Sequence, residues 1–253
     1  MDAIARPPRF LPWRCYLLEA GYELLRQLRE PAFVLPTLLF PTAFYLLFGV
    51  MLTGNAANAQ YMLAGYGVFG IMGAALFGFG AGIAADRERG LLRLKRALPA
   101  PPGAWLLAKM AAAMAFAAII SLLLATLAAT LGGVALAPGQ WLLLFAANVL
   151  GVLPFCAIGL YIGSLVGGNA AVAVVNILFL PMAFLSGLWM PLSVLPDIFT
   201  RLSPVWPAYH LGQLAMKVVG HDAGGSTWLH LGVLGVVTAV FFMLARRRLA
   251  AAA

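Results

Sequence analysis

The sequence predicts an all-α integral membrane protein with six transmembrane helices. Composition is the first ground for it: 63% of the 253 residues are apolar and 9% are charged, whereas soluble domains hold about 45–50% and about 25%. The second ground is a pair of uncharged stretches, residues 31–85 and 110–196, each far longer than the roughly 20 apolar residues that cross a bilayer as a helix. The third is texture. A spanning β-barrel alternates apolar and polar residues in segments of about ten, and runs such as Ala111–Leu124 do not alternate.

Each element follows from local pattern, and together they read as one transmembrane domain over 1–253. In residues 1–32, Trp13, Leu17, Leu24 and Leu28 share one helical face, and Glu19, Glu23, Arg26 and Glu30 recur on the other. That is the pattern of an amphipathic helix lying along the membrane surface, ended by Pro31. Residues 33–189 hold spans one to five, at about 33–52, 61–84, 106–131, 141–166 and 171–189. Gly132-Gly133 ends span three, Pro138-Gly139-Gln140 opens span four, and Gly167-Gly168-Asn169 turns into span five. Pro154 and Pro181 are expected to kink or break spans four and five. Small residues at Gly78 and Gly82, and at Gly159, Gly163 and Gly167, are spaced to let helix backbones approach in lipid. Residues 190–226 carry four prolines and form an outer loop too interrupted to span, so short re-entrant helices dipping into the outer leaflet are expected there. Residues 227–253 form span six and a basic tail.

Orientation follows from counting. Of 16 Lys and Arg, 14 fall in residues 1–32, 84–109 and beyond 245. Basic short loops stay in the cytoplasm, and even numbers of spans separate these three segments, so both termini are expected to be cytoplasmic. The formal charge of +8 then reports topology and contact with anionic lipid headgroups rather than nucleic acid. No cleavable signal is expected, because arginines and acids continue through Glu30 before the first long apolar run. Cys15 and Cys156 are too differently placed to suggest a disulfide.

The densest charge lies after span two, with seven charged residues in the eleven positions from Asp86 to Arg96. Burying its five basic residues at about 2.5–3.5 kcal/mol each would cost more than ten, so the segment is cytoplasmic. Leu91, Leu92, Leu94 and Leu98 give it an apolar side, and Pro99, Pro101 and Pro102 stop it. A short helix over about 86–100 results, free to rest on lipid or to meet a cytoplasmic protein.

Catalytic chemistry is hard to find. No carboxylate lies within a span, and His210, His221 and His230 match no familiar metal-ligand spacing. A lipid-modifying enzyme is therefore disfavoured. An ion-coupled transporter commonly carries intramembrane charge, which the spans lack except at their ends. Asn148 and Asn176 leave a carbonyl- and amide-built sodium site as the remaining route to a secondary transporter or channel. The simpler inference is an energy source on another chain.

Glu88-Arg-Gly-Leu-Leu-Arg-Leu-Lys-Arg-Ala-Leu-Pro99 resembles the Glu-x-Gly-Thr-Leu-Glu-x-Leu…Pro signature of type-2 ABC transporter permeases, the membrane subunits of bacterial exporters. Leu91 stands where that family often has Thr, and Arg93 where it often has an acid. Leu202-Ser-Pro-Val-Trp-Pro-Ala-Tyr-His-Leu211 is similar to the family's Asn/Ser-Pro…Tyr segment before span six. The resemblance implies a permease in the bacterial inner membrane, paired with a second copy or a related permease and served by an ATP-binding subunit. This chain holds no Gly-x-x-x-x-Gly-Lys-Ser/Thr segment to cradle phosphates, so ATP and Mg would belong to that partner, with no cofactor here. The segment after span two would be the coupling helix, with Arg87, Glu88, Arg89, Gly90, Arg93 and Arg96 as candidate ATPase contacts. Spans two and five would line the translocation path, which brings in Phe69, Phe77, Asn176 and Phe179. That lining is apolar with one amide and suits an amphipathic, lipid-linked, polysaccharide or drug-like substrate better than a small ion.

Overall fold

A computed structural model describes residues 12–52, 55–91, 94, 104–222 and 224–251. Arg93, Lys95 and Arg96, and most of the expected coupling helix over 86–100, lie outside these residues. Among the described residues there are helices and turns but no strands.

Helix α1 spans Pro12–Leu28. Six further helices are long and apolar enough to cross a membrane: α2 (Pro31–Met51), α3 (Ala56–Glu88), α4 (Ala104–Thr130, apolar from Trp105), α5 (Pro138–Leu165), α6 (Gly168–Leu185) and α9 (Thr227–Ala251, apolar to Leu249). These are the six expected spans, with ends within a few residues of the sequence reading. Between α6 and α9 the chain folds into α7 (Asp197–Leu202) and α8 (Pro207–Val218), with 3-10 turns at Leu192–Val194 and Ser203–Val205. The amphipathic α8 buries Ala208, Leu211, Leu214 and Ala215 against α3, α5 and α9.

Span α3 is the centre of the bundle. Its most apolar window is 67% buried, against 17% for α2 and for α9, so the latter two present most of their apolar surface outward, as helices in a lipid solvent do. Every residue from Leu63 to Met72 is buried. From Ala74 to Ala81 α3 widens into π-helical turns, and α2 does the same from Tyr45 to Met51, four residues after Pro41. Such wide turns inside α-helices often accompany functional sites.

Small residues bring α3 and α5 together, through a different glycine from the one the spacing suggests. A Cβ on Gly163 would fall onto the Gly80 carbonyl oxygen, and one on Gly159 would lie 3.2 Å from the Gly80 nitrogen. Gly80 is thus the meeting point on α3. Gly78 serves another end, since its missing Cβ makes room for the ring of Phe33 on α2.

The two proline expectations divide. Span α5 steps at Val152, and Pro154, lacking an N–H, sits in the first turn of its second half, where that loss is harmless. Pro181 lies inside α6, which runs unbroken through it. Both cysteines are free. Asn148 donates from Nδ2 to Ser121 Oγ at 3.2 Å and is buried beside Gly67, tying α3, α4 and α5 together.

Candidate functional site

Four residues expected on the path come together in space. Phe69 and Phe77 of α3 and Asn176 and Phe179 of α6 line one groove of about 450 Å³, closed on its other side by Phe33, Pro36, Phe40 and Phe44 of α2 and at one end by Trp189. Phe179 is the pivot: its ring centroid is 5.0 Å from that of Phe69 and 5.3 Å from that of Phe77. Phe69 in turn meets Trp189 edge-on at 5.7 Å. Gly73 permits this packing, since a Cβ there would press on the Phe179 ring at 3.3 Å. Asn176 donates back to the Val172 carbonyl of its own helix at 3.1 Å. Apart from Thr37, Asn176 and the Trp189 indole, the described side chains lining the groove are apolar. α2 and Trp189 were missing from the sequence reading, because nothing in their local pattern says that they close over spans two and five.

Toward the end of α3 that leads into the charge cluster, a ring of four charges joins three helices. Arg26 of α1 donates to Asp86 Oδ1 of α3 at 2.6 Å and to Glu23 Oε1 at 2.9 Å. Lys109 of α4 donates to the same Glu23 oxygen at 2.5 Å and lies 3.3 Å from Asp86 Oδ2. Each acid touches both cations, so the charges balance locally. Lys109 is fully buried and Glu23 and Asp86 nearly so. The Lys109 ammonium also stands 5.2 Å from the centre of the Trp105 ring, within reach of a cation–π contact. Burial opposes the Arg26 charge, but the Asp86 hydrogen bond and the fields of Glu23, Asp86 and Glu30 outweigh it and raise the guanidinium above its ordinary pKa.

This ring gives the polar face of α1 its partners within the protein. Glu23 and Gln27 point into the protein, while Trp13, Leu17 and Leu28 are exposed. The polar face of α1 grips α3 and α4, and Leu24 of the other face packs against the core. The spacing held the signal: Glu23, Arg26 and Gln27 sit at i, i+3 and i+4, on one side of a helix.

The first two of the candidate ATPase contacts bond inside the chain. Arg87 donates to the Gly163 carbonyl at 2.8 Å and approaches that of Val166 at 3.5 Å, at the C-terminus of α5. Glu88 accepts the Gly168 N–H at 2.9 Å, at the N-terminus of α6. A cation at a helix C-terminus and an anion at a helix N-terminus both suit the helix dipoles, so consecutive residues clamp the turn between spans four and five. Arg89 is exposed, and Gly90 ends α3 with φ of +73°, the left-handed C-cap that glycine adopts at least cost.

The histidines bond within the chain. His210 of α8 and His230 of α9 face each other with Nδ1 atoms 2.9 Å apart, His210 also bonds the Pro204 carbonyl, and His221 Nε2 lies 3.1 Å from the Ala57 carbonyl of α3. No group of three or more His, Cys, Asp or Glu is arranged to hold a metal among the described residues.

The family model described as ABC-2 type transporter matches residues 18–219. The chain belongs to that family. It is accordingly a multi-pass membrane subunit of a type-2 ABC transporter, a class that implies an ATP-binding ABC partner, and a channel or secondary transporter working without one is set aside. The chain is 29% identical over 229 residues, 88% of its own length and 92% of the relative's, to the Bacillus subtilis (strain 168) protein named "Putative transport permease YvfS". It is 34% identical over 104 residues, 40% of each chain, to Nodulation protein J of Sinorhizobium fredii (strain NBRC 101917 / NGR234).

Proposed function

We propose that this ABC-2 subunit is the permease half of an ATP-driven exporter, moving an amphipathic substrate out of the cytoplasm or inner leaflet along the groove between α2, α3 and α6. One observation carries the reading: Phe69, Phe77, Asn176 and Phe179 converge on a single apolar groove whose flanking helices expose Leu39, Phe40, Ile177 and Leu180 to the exterior. A groove of aromatic rings with one amide takes an alkyl or ring-bearing body and offers almost nothing to a hydrated ion. Lipid-linked, polysaccharide-bearing and drug-like amphiphiles all fit that description.

In this reading the termini lie in the cytoplasm of an inner-membrane protein, and the segment from Arg89 through Arg93 to Arg96 docks on the ATPase, where ATP and Mg are held. The Arg87 and Glu88 bonds to the turn between α5 and α6 would transmit movement of that segment to the groove wall on α6. A second copy would pack on the exposed apolar face of α6, where Val174 and Ile177 lie.

Reconstitution with the ATPase tests the proposal. Phe77→Ala and Asn176→Leu should each reduce stimulation of ATP hydrolysis by an amphiphilic substrate by about ten-fold, the loss expected for one good contact. Stimulation unchanged in both would overturn the groove as path.

A further inference from the structure

His210 of α8 and His230 of α9 are both buried, at 4% and 3% exposure, and meet through Nδ1 atoms 2.9 Å apart. Their partners fix where the hydrogens sit. The Pro204 carbonyl only accepts, so His210 Nε2, 2.9 Å from it, carries a hydrogen. Of the two Nδ1 atoms one donates and the other accepts. His230 Nε2 has no hydrogen-bond partner, and a Cβ on Gly225 would lie 3.3 Å from it. The contact therefore closes with both rings neutral or with one of them charged. A second added proton sets N–H against N–H and places two cations in rings whose centres are 5.1 Å apart.

The surroundings oppose that second charge. Each histidine is the fourth residue of its helix, near the end where the helix dipole disfavours a cation. The Tyr209 ring stands edge-on to both imidazoles. Lys217 of α8 brings a further cation and bonds the Gly225 carbonyl, while its counter-ion Asp222, 3.5 Å away, is half exposed. Asp197 and Arg201 lie on α7, before the turn that holds Pro204. The other ties of α8 and the turn after it end on carbonyls, which a charged donor still satisfies: Gln140 Nε2 donates to Val218 at 2.8 Å and His221 Nε2 to Ala57 at 3.1 Å.

Helix α8 also backs the end of the groove. Leu211 fills the space left by Gly151 of α5, and a Cβ on Gly212 would lie 3.1 Å from Leu188, the neighbour of Trp189.

We infer that the His210–His230 pair is an acid-released latch, which holds α8 on α9 until both rings are charged and then lets α8 loosen and free the Trp189 end of the groove. An ordinary histidine takes up its proton near pH 6.5. The closed pair binds at most one added proton and the open pair two, so the hold is fully present above that pH and weakens by about ten-fold per unit below it. The latch itself stands on the histidine geometry; its meaning for substrate exit rests on the groove being the path. In the proposed orientation α8 faces the outer compartment, so an acid exterior favours exit.

The test uses the whole transporter, permease and ATPase, in lipid nanodiscs that open both faces to one buffer. Hydrogen exchange of the α8 amides is followed at about pH 7.5 and about pH 5 and scaled for the intrinsic pH dependence of exchange. Protection over residues 211–218 should fall by about ten-fold or more at the lower pH. In His230→Asn the amide meets His210 whether that ring is neutral or charged, so protection should be the same at both values. His221→Gln should respond as the unaltered protein does. Iodide quenching of Trp189, read against a Trp189→Phe variant, should rise together with α8 exchange. Unchanged protection in the unaltered protein, a full response in His230→Asn, or a lost response in His221→Gln would overturn the latch, whatever the groove carries. Loosening of α8 with no rise in Trp189 quenching would overturn the link to the groove and leave the latch in place. The groove as path is judged separately, by substrate stimulation in Phe77→Ala and Asn176→Leu.

Discussion

Lys109 Nζ lies 2.5 Å from Glu23 Oε1, with the lysine fully buried and the glutamate 5% exposed. The pair joins α4 to α1 across 86 positions of sequence, and with Arg26 and Asp86 it closes a neutral ring. A ring of this kind stabilises little relative to apolar packing, but opening it is costly, because one buried charge is then left unbalanced.

Lys109→Met should therefore destabilise the protein by about 3–5 kcal/mol, read as a large drop in melting temperature and membrane abundance. Adding Glu23→Gln and Asp86→Asn to it should recover most of that loss, because the buried negative charge is gone and the remaining cation, Arg26, is 41% exposed. A triple variant no more stable than Lys109→Met would show that the charges are not the source.

Glu88 has an internal role and a proposed external one, and two substitutions separate them. The glutamine oxygen of Glu88→Gln can still accept the Gly168 N–H, so helix α6 keeps its cap; Glu88→Ala cannot, and should cost about 0.5–2 kcal/mol. If the carboxylate also touches the ATPase, both variants lower the transport achieved per ATP hydrolysed. Full coupling in Glu88→Gln, measured in proteoliposomes, would confine the residue to its capping role.

The approach of α5 to α3 depends on bare backbone. Gly163→Ala places a methyl group on the Gly80 carbonyl, and overpacking of that kind costs about 1–3 kcal/mol. Gly232 in α9 has open space where a Cβ would go, so Gly232→Ala should be neutral or stabilising by up to about 1 kcal/mol. Thermal melts of the two variants side by side check the contrast.

The clamp on the turn between α5 and α6 predicts a directional effect as well. Arg87→Ala removes the only described side-chain donor to the Gly163 carbonyl and should loosen the start of α6, raising amide exchange at Gly167–Asn169 by about ten-fold or more over the unaltered protein. Exchange unchanged there would mean that Arg87 contributes nothing to holding the turn.

What could be read directly from the residues was whatever the bilayer enforces locally. A helix in lipid must satisfy its own backbone and carry about 20 apolar residues, so the six spans, the Gly132-Gly133 stop and the break near Pro154 were all visible in composition and punctuation. The family pattern singled out Phe69, Phe77, Asn176 and Phe179 on spans two and five, and these four meet in one groove. Other features depended on which helices meet. The inward turn of α1 requires Asp86 and Lys109, 60 and 86 positions away from their partners, and an amphipathic pattern is the same whichever side faces lipid. The choice of Gly80 over Gly78 as the contact with α5 depends on helix rotation inside a π-widened turn, which spacing by fours does not encode. Phe33, Phe40 and Trp189 join the site only because α2 and the segment after α6 close over the groove. Local hydropathy determined what crosses the membrane; side-chain packing between distant segments decided which polar groups were buried with partners and which, like Gln27, were left without one.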